Sequence, residues 1–174
     1  AVDKIRDTAD SHNRLFFVEV MGRHNGFIAL STGIATGAIA VMTPETGITV
    51  DGLVQVLAEG QKSNKTSSIV IVAEGNPSGG AYKLAQEVMQ RTDQYDIRIT
   101  VLGHLQRGGS PSCSDRVLAS RLGVEAVESL LKGSVNCMVG VVNDRLVHTP
   151  FEKAITNKID TLKDEVRIAR ILSI

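Results

Sequence analysis

Short apolar runs alternate with amphipathic ones along the chain, which predicts an α/β fold: three α/β/α layers around a mainly parallel sheet. Two observations carry that expectation. The runs are mostly β-branched or aromatic with few charges, as strands buried on both faces must be, and three of them exit into glycine-containing segments rich in charge.

Taken in order, 1-AVDKIRDTADSHNR-14 reads as the tail of a helix and its exit, and Leu15 to Met21 as the first strand. The stretch 24-HNGFIALSTGIATG-37 follows as a helix, its glycines each costing roughly 1 kcal/mol relative to alanine. Ile39 to Met42 is the second strand. Val50 to Glu59 places Val50, Leu53, Val54 and Leu57 at i, i+3, i+4 and i+7, so it reads as an amphipathic helix with Thr49 as N-cap. Ile69 to Ala73 is the third strand, and Tyr82 to Gln90 repeats the helical period with Leu84, Ala85, Val88 and Met89. Ile97 to Leu102 is the fourth strand. Asp115 to Lys132 is a longer helix carrying Val117, Leu118, Leu122, Val124, Val127, Leu130 and Leu131, stopped by Gly133. Met138 to Val142 reads as a fifth buried strand, and Leu146 and Val147, after the Asn143-Asp144 turn, as a short further one. Strands alternating with helices imply parallel pairing by crossover, with no internal repeat and no linker.

Composition limits what such a chain binds. With 19 Lys and Arg against 19 Asp and Glu there is no bulk attraction to nucleic acid or to an anionic membrane, so any anion site must be local. At 174 residues and 43% hydrophobic content the chain is long enough for one ordinary core. Cys113 and Cys137 lie far apart with no metal spacing, which fits free thiols in a reduced, cytoplasmic protein. No apolar run reaches membrane-spanning length and no basic-then-apolar leader opens the chain. Its first residue is Ala1, as though the protein had been entered partway through.

In parallel α/β sheets ligands collect at the carboxyl edge, so the strand exits are the places to look. They read 21-MGRHNG-26, 74-EGNPSGG-80 and 103-GHLQRGGSPS-112. Arg23, Arg98 and Arg107, with Arg14 opening the first strand, are planar donors able to hold a phosphate dianion, and Glu74 is an acceptor suited to sugar hydroxyls. That chemistry suits a phosphosugar. Lys62 and Lys65 read as a solvated helix exit or a second anion site, and His148 as structural.

Three of these stretches carry a resemblance. RITVLGHLQRGGSPSCSDRVLASRLG, 16-FFVEVMGRHNG-26 and IVIVAEG are similar to motifs of the 6-phosphofructokinase family, bacterial and ATP-dependent in type. The resemblance runs from Ala1 to about Leu162, ending at what looks like a natural C-terminus, and corresponds to the second half of those enzymes. It implies that residues 1–174 are the substrate-binding portion, a parallel α/β/α layer structure. The glycine loops for ATP, the GGDGS element and the TIDND loop with its catalytic aspartate belong to the first half.

What the resemblance implies for individual residues is specific. His104 and Arg107 hold fructose 6-phosphate, Glu74 takes sugar hydroxyls, and Met21, Gly22 and Arg23 close over the reacting end. Arg23 also stabilises the transition state of phosphoryl transfer. Arg14 and Arg98 reach the 6-phosphate of a neighbouring subunit in a homotetramer. Mg2+ and ATP are bound mainly by the first half, and nucleic acid and membrane are not partners. An effector site uses Arg6, Gly37 and Lys65, but Ile39 stands where the family has an acid, and Ser63, Asn64, Thr66 and Ser67 flank Lys65. Regulation by the usual effectors is therefore expected to be weak. A pyrophosphate-dependent relative shares this half, and a non-catalytic phosphosugar-binding module would present the same edge; an upstream TIDND and GGDGS in the reading frame separates the enzymes from the module.

Overall fold

The computed structural model describes residues 1–9, 14–62, 69–156 and 162–172. Two compact units form, one from Ala1–Gly108 with Thr161–Ile174, the other from Gly109–Asp160.

The first unit opens with α1 (Val2–Ala9), β1 (Arg14–Val20), α2 (Phe27–Thr36) and β2 (Ala40–Met42). It continues through α3 (Val50–Lys62), β3 (Ile69–Ala73), α4 (Ala81–Met89) and β4 (Asp96–Val101), and its first stretch of chain closes in a short 3-10 turn at Gly103–Arg107. The strands form one sheet in the order β2-β3-β1-β4, every pairing parallel. This is the predicted parallel sheet, with boundaries within one residue of those read from the apolar runs.

Side chains on a strand alternate between faces, and the two halves of the core follow that alternation. Leu15, Phe17, Val70, Val72 and Ile97 pack with Leu53 and Leu57 of α3 and Leu84, Ala85 and Val88 of α4. Val18, Val20, Ile69, Ile71 and Ala73 face the other way, against Val2, Ala29 and Leu30. Leu162 and Ala169 join that second layer, Ala169 from α7 (Lys163–Leu172), a helix absent from the sequence reading. The predicted cap of α3 is present: Gly52 N donates to Thr49 Oγ1 at 3.1 Å.

The second unit departs from expectation. Met138 to Val142 was assigned to the parallel sheet; instead β5 (Cys137–Val142) pairs antiparallel with β6 (Arg145–Pro150) as a two-stranded hairpin. The reason lies in the turn. Asn143 and Asp144 have φ of 49° and 60°, and two consecutive left-handed residues reverse the chain at once, leaving no length for a crossover.

Ahead of the hairpin, α5 (Cys113–Leu131) begins two residues earlier than predicted because Ser112 builds a capping box. Asp115 N donates to Ser112 Oγ at 3.2 Å and Ser112 N to Asp115 Oδ2 at 2.8 Å. Its apolar stripe is not a core face: Val124, Val127, Leu130 and Leu131 are 58–83% exposed, and Ser129 is its one buried residue. One helix, a hairpin and α6 (Phe151–Thr156) are too few layers to cover it. His148 is structural here, its Nε2 lying 2.6 Å from Ser129 Oγ and 3.2 Å from Glu125 Oε1, so that β6 is tied to α5.

Candidate functional site

Because β1 lies between β3 and β4, the exits of all three strands fall side by side, and the ladder continues past the strand ends. Glu74 N donates to Val20 O at 3.0 Å, and Leu102 N to Glu19 O at 3.1 Å. The segments 21–26, 74–80 and 102–107 thus start from fixed points.

Their closest meeting is at Glu74. Its Oε1 accepts from Arg23 N at 2.6 Å and Gly22 N at 3.1 Å, so a carboxylate leaving β3 holds the backbone leaving β1. These two bonds, Arg23 first, hold the Glu74 carboxyl below the usual carboxylate range against the cost of desolvation, and the Arg107 and Arg23 guanidiniums act in the same direction as the bonds. Glu74 is therefore an anion on the exposed edge, with Oε2 free of any hydrogen bond among the described residues.

The held segment is unusual in conformation. Arg23 sits at φ 53°, left-handed for a residue with a side chain, which costs of order 1 kcal/mol and persists where neighbours enforce it. Gly22, at φ 156°, could not carry a Cβ, which would strike Asn25 O. Gly75 is glycine for space alone, since a Cβ there would overlap the carbonyl of Arg23. The two segments pass backbone against backbone.

The third exit joins through a residue that the sequence reading passed over. Gln106 Oε1 accepts from Met21 N at 3.2 Å while its Nε2 donates to Gly103 O, which locks the 3-10 turn against the β1 exit. His104 and Arg107, on the same turn, are exposed. Among the described residues the edge therefore gathers Met21, Gly22, Arg23, Glu74, Gln106 and Arg107, with His104 on the same short turn. The signal for Gln106 was its place in HLQR, two residues after His104 and next to Arg107, the basic side chains it helps to seat.

Arg14 and Arg98 are not in this cluster. The grouping of Arg98 with Arg23 and Arg107 at one edge is corrected here. Arg98 is opposite Phe16 and Arg14 opposite Asp96, which sets them ~17 Å and ~23 Å along the strands from Met21 at 3.3 Å per residue. They form a patch of their own: Arg98 Nη2 lies 2.8 Å from Asp96 Oδ2 and Arg14 Nε 3.7 Å from the same oxygen.

Of the residues assigned to an effector site, Arg6 lies on α1, with Nε and Nη2 shielded from solvent and without a hydrogen bond among the described residues. Gly37 is the left-handed C-cap of α2 at φ 60°. Lys65 lies outside the described residues. Ile39 is 4% exposed and packs in the core with its Cδ1 over Gly60, so no acid could stand there without repacking.

The fold and this edge define a class: a parallel α/β protein whose basic, glycine-lined strand exits suit an anionic ligand. The chain belongs to the phosphofructokinase family, whose profile, described as Phosphofructokinase, matches residues 1–130. It is 51% identical over 174 residues to ATP-dependent 6-phosphofructokinase 2 of Bacteroides thetaiotaomicron, covering all of this chain and 53% of that protein. With ATP-dependent 6-phosphofructokinase 1 of Thermus thermophilus it shares 47% identity, covering 100% of this chain and 54% of that protein. The chain spans about half the length of the curated relatives it matches, and the similarity continues past Leu162, where the motif-based resemblance was expected to end. Among solved structures, phosphofructokinase from Saccharomyces cerevisiae matches with a TM-score of 0.80 and 30% identity over 99% of this chain and 24% of that one. A pyrophosphate-dependent phosphofructokinase from Marinobacter aquaeolei shares the fold, with a TM-score of 0.73 at 22% identity over 88% of this chain and 43% of that one.

Proposed function

We propose that residues 1–174 are the fructose 6-phosphate-binding portion of an ATP-dependent 6-phosphofructokinase, which transfers the γ-phosphate of ATP to the sugar's 1-hydroxyl. The observation that carries this is the Glu74 clasp. A carboxylate with one oxygen committed to Gly22 and Arg23 amides and the other turned to solvent, beside Arg107, offers an acceptor for a sugar hydroxyl next to a donor for a phosphate.

In this reading His104 and Arg107 bind the sugar phosphate, and Met21 and Gly22 close over the reacting end. Arg23, exposed and fixed by its own backbone bond, faces the transferred group and offsets its charge in the transition state. Arg14 and Arg98, remote from this cluster, serve the 6-phosphate of a neighbouring subunit in a cytoplasmic homotetramer. The general base and the Mg2+–ATP pocket lie outside residues 1–174. Among the described residues no three His, Cys, Asp or Glu gather where they could hold a metal ion.

Two measurements test the reading. Fructose 6-phosphate added to the isotopically labelled chain is expected to shift the amides of Gly22, Arg23, Gly75 and Arg107, with fructose or inorganic phosphate alone doing so only at far higher concentration. The same chain in a coupled assay is expected to transfer no phosphoryl group from ATP, because positioning and proton abstraction both need the absent half. Silence of those amides at saturating sugar phosphate would defeat the substrate assignment; turnover by the isolated chain would defeat the division of labour.

Regulation follows from Ile39. With an apolar core residue in place of an effector-binding acid, ADP and phosphoenolpyruvate are expected to move half-saturation of the whole enzyme by less than about tenfold, since coupling cannot exceed an effector's differential affinity for two states. Saturation curves with and without each effector decide this, and a larger shift contradicts it.

A further inference from the structure

Glu19 is a carboxylate inside a strand that is otherwise apolar from Leu15 to Val20, half-buried on the face that β1 turns toward α3 and α4. Nothing in the function proposed above uses it. Its surroundings are specific. Glu19 Oε2 accepts from Ala81 N, the first residue of α4, at 2.7 Å. That helix has no cap of its own: Gly80 stands at its N-cap, and no acidic residue lies in its first turn. Glu19 reaches across from another strand to supply both the acceptor and the negative charge that a helix start favours. A side chain at position 80 would displace it, since a Cβ there would meet Glu19 Oε2.

The segment 74–80 is consequently held at both ends by carboxylate-to-amide bonds running in opposite directions. At its start, Glu74 reaches from the β3 exit to Gly22 N and Arg23 N beyond β1. At its end, Ala81 N is taken by Glu19 from within β1. The main chain of Glu19 completes the arrangement, because its carbonyl accepts from Leu102 N just ahead of the turn bearing His104 and Arg107. One residue, two positions before the first site-bearing connection, thus bonds to the other two.

We propose that Glu19 is a positioning residue of the sugar-phosphate site: its carboxylate pins the start of α4, keeps Glu74 in register with Gly22 and Arg23, and so fixes the left-handed Arg23. This rests on the sugar-phosphate reading for its functional meaning, and its structural content is separately measurable.

The test is amide hydrogen exchange and fructose 6-phosphate affinity in Glu19→Ala, Glu19→Gln and Gly80→Ala. Glu19→Ala removes the acceptor, Gly80→Ala crowds it while leaving the carboxylate in place, and Glu19→Gln retains an acceptor oxygen. Exchange without ligand is expected to quicken at Ala81 and also at Gly22 and Arg23 in Glu19→Ala and Gly80→Ala, to recover in Glu19→Gln, and to stay unchanged at Leu57 and Val70. Affinity is expected to fall about tenfold in Glu19→Ala, as for loss of one charge-assisted hydrogen bond, and less than threefold in Glu19→Gln. Quickening confined to Ala81 overturns the proposal, since Glu19 would then cap α4 and nothing more. Quickening that extends to Leu57 and Val70 overturns it in favour of a general stabilising role, as does unchanged affinity where the unmodified protein binds. If the unmodified protein binds no fructose 6-phosphate, the functional reading fails and the exchange pattern alone decides whether Glu19 holds the three connections in register.

Discussion

On the proposed reading, Gly75→Ala is expected to lower the affinity for fructose 6-phosphate by about a hundredfold, the size that follows when both amide bonds to one carboxylate are lost at roughly 1.5 kcal/mol each. The argument is steric. A methyl group at 75 would overlap the carbonyl of Arg23, and backbone offers no rotamer by which to yield, so one of the two segments must move. Either movement pulls Glu74 Oε1 from Gly22 N and Arg23 N and frees Arg23 from its left-handed conformation. Overpacking of this kind costs typically about 1–3 kcal/mol of stability, so the melting temperature falls by several degrees while the protein remains folded. Calorimetric titration and thermal melts of the same preparation check both parts. Binding within threefold of the parent would show that the crossing of the two backbones is unimportant to the site.

On the same reading, Arg98→Ala is expected to weaken fructose 6-phosphate binding in the complete enzyme by about ten- to a hundredfold, the loss of one charge-assisted bond, with a smaller effect on turnover if the contact is equal in ground and transition states. Stability barely changes, because Arg98 is exposed and its partner Asp96 is an exposed surface carboxylate, a kind of pair worth ~0–1 kcal/mol. The position of Arg98, ~17 Å along the strands from the Met21 exit at 3.3 Å per residue, motivates the sharper part. On the proposed reading, an arginine so placed is expected to serve a site other than its own chain's. Mixed oligomers of an Arg98→Ala subunit and a subunit lacking its catalytic base are then expected to regain activity at low substrate, each restored site taking its base from one parent and its arginine from the other. Mixtures that never exceed their parents, with hybrids confirmed by mass, refute the shared site.

The residues that made the fold legible were those whose local signal and tertiary fate agree. Phe17, Val70 and Ile71 are apolar and β-branched or aromatic because helices cover both faces of their strands, so the runs read correctly to within a residue. β5 misled because CMVGVV is an apolar run of the same length, and period alone does not distinguish a buried parallel strand from one arm of a hairpin. The decisive sign was the Asn143-Asp144 turn, read only as a boundary. Helix α7 escaped because Val166 and Ala169 are spaced among Lys, Asp, Glu and Arg, and its burial depends on α2 and the sheet more than on its own sequence. At the site, charged side chains beside glycines announced themselves, whereas Glu19 and Gln106 act by bonds to main-chain amides far along the chain. No sequence period records such contacts. That Arg14 stands apart from the carboxyl edge was legible, since it opens its strand.

The order of the sheet also governs when the protein can assemble. β1 is made first and ends in the middle, between β3 and β4, and the strand that follows it in the chain, β2, does not touch it. As the polypeptide emerges, Leu15-Phe-Phe-Val has no hydrogen-bonding partner until residue 69, and its second edge stays bare until residue 96. For some fifty residues of synthesis, several seconds at ordinary ribosomal rates of about 5–20 residues per second, this largely apolar strand is a sticky, unpaired ribbon. Nascent-chain binding by chaperones should therefore peak on lengths that include β1 and stop short of β3, and synonymous codon changes that slow translation between residues 20 and 69 should increase aggregation without altering the finished molecule.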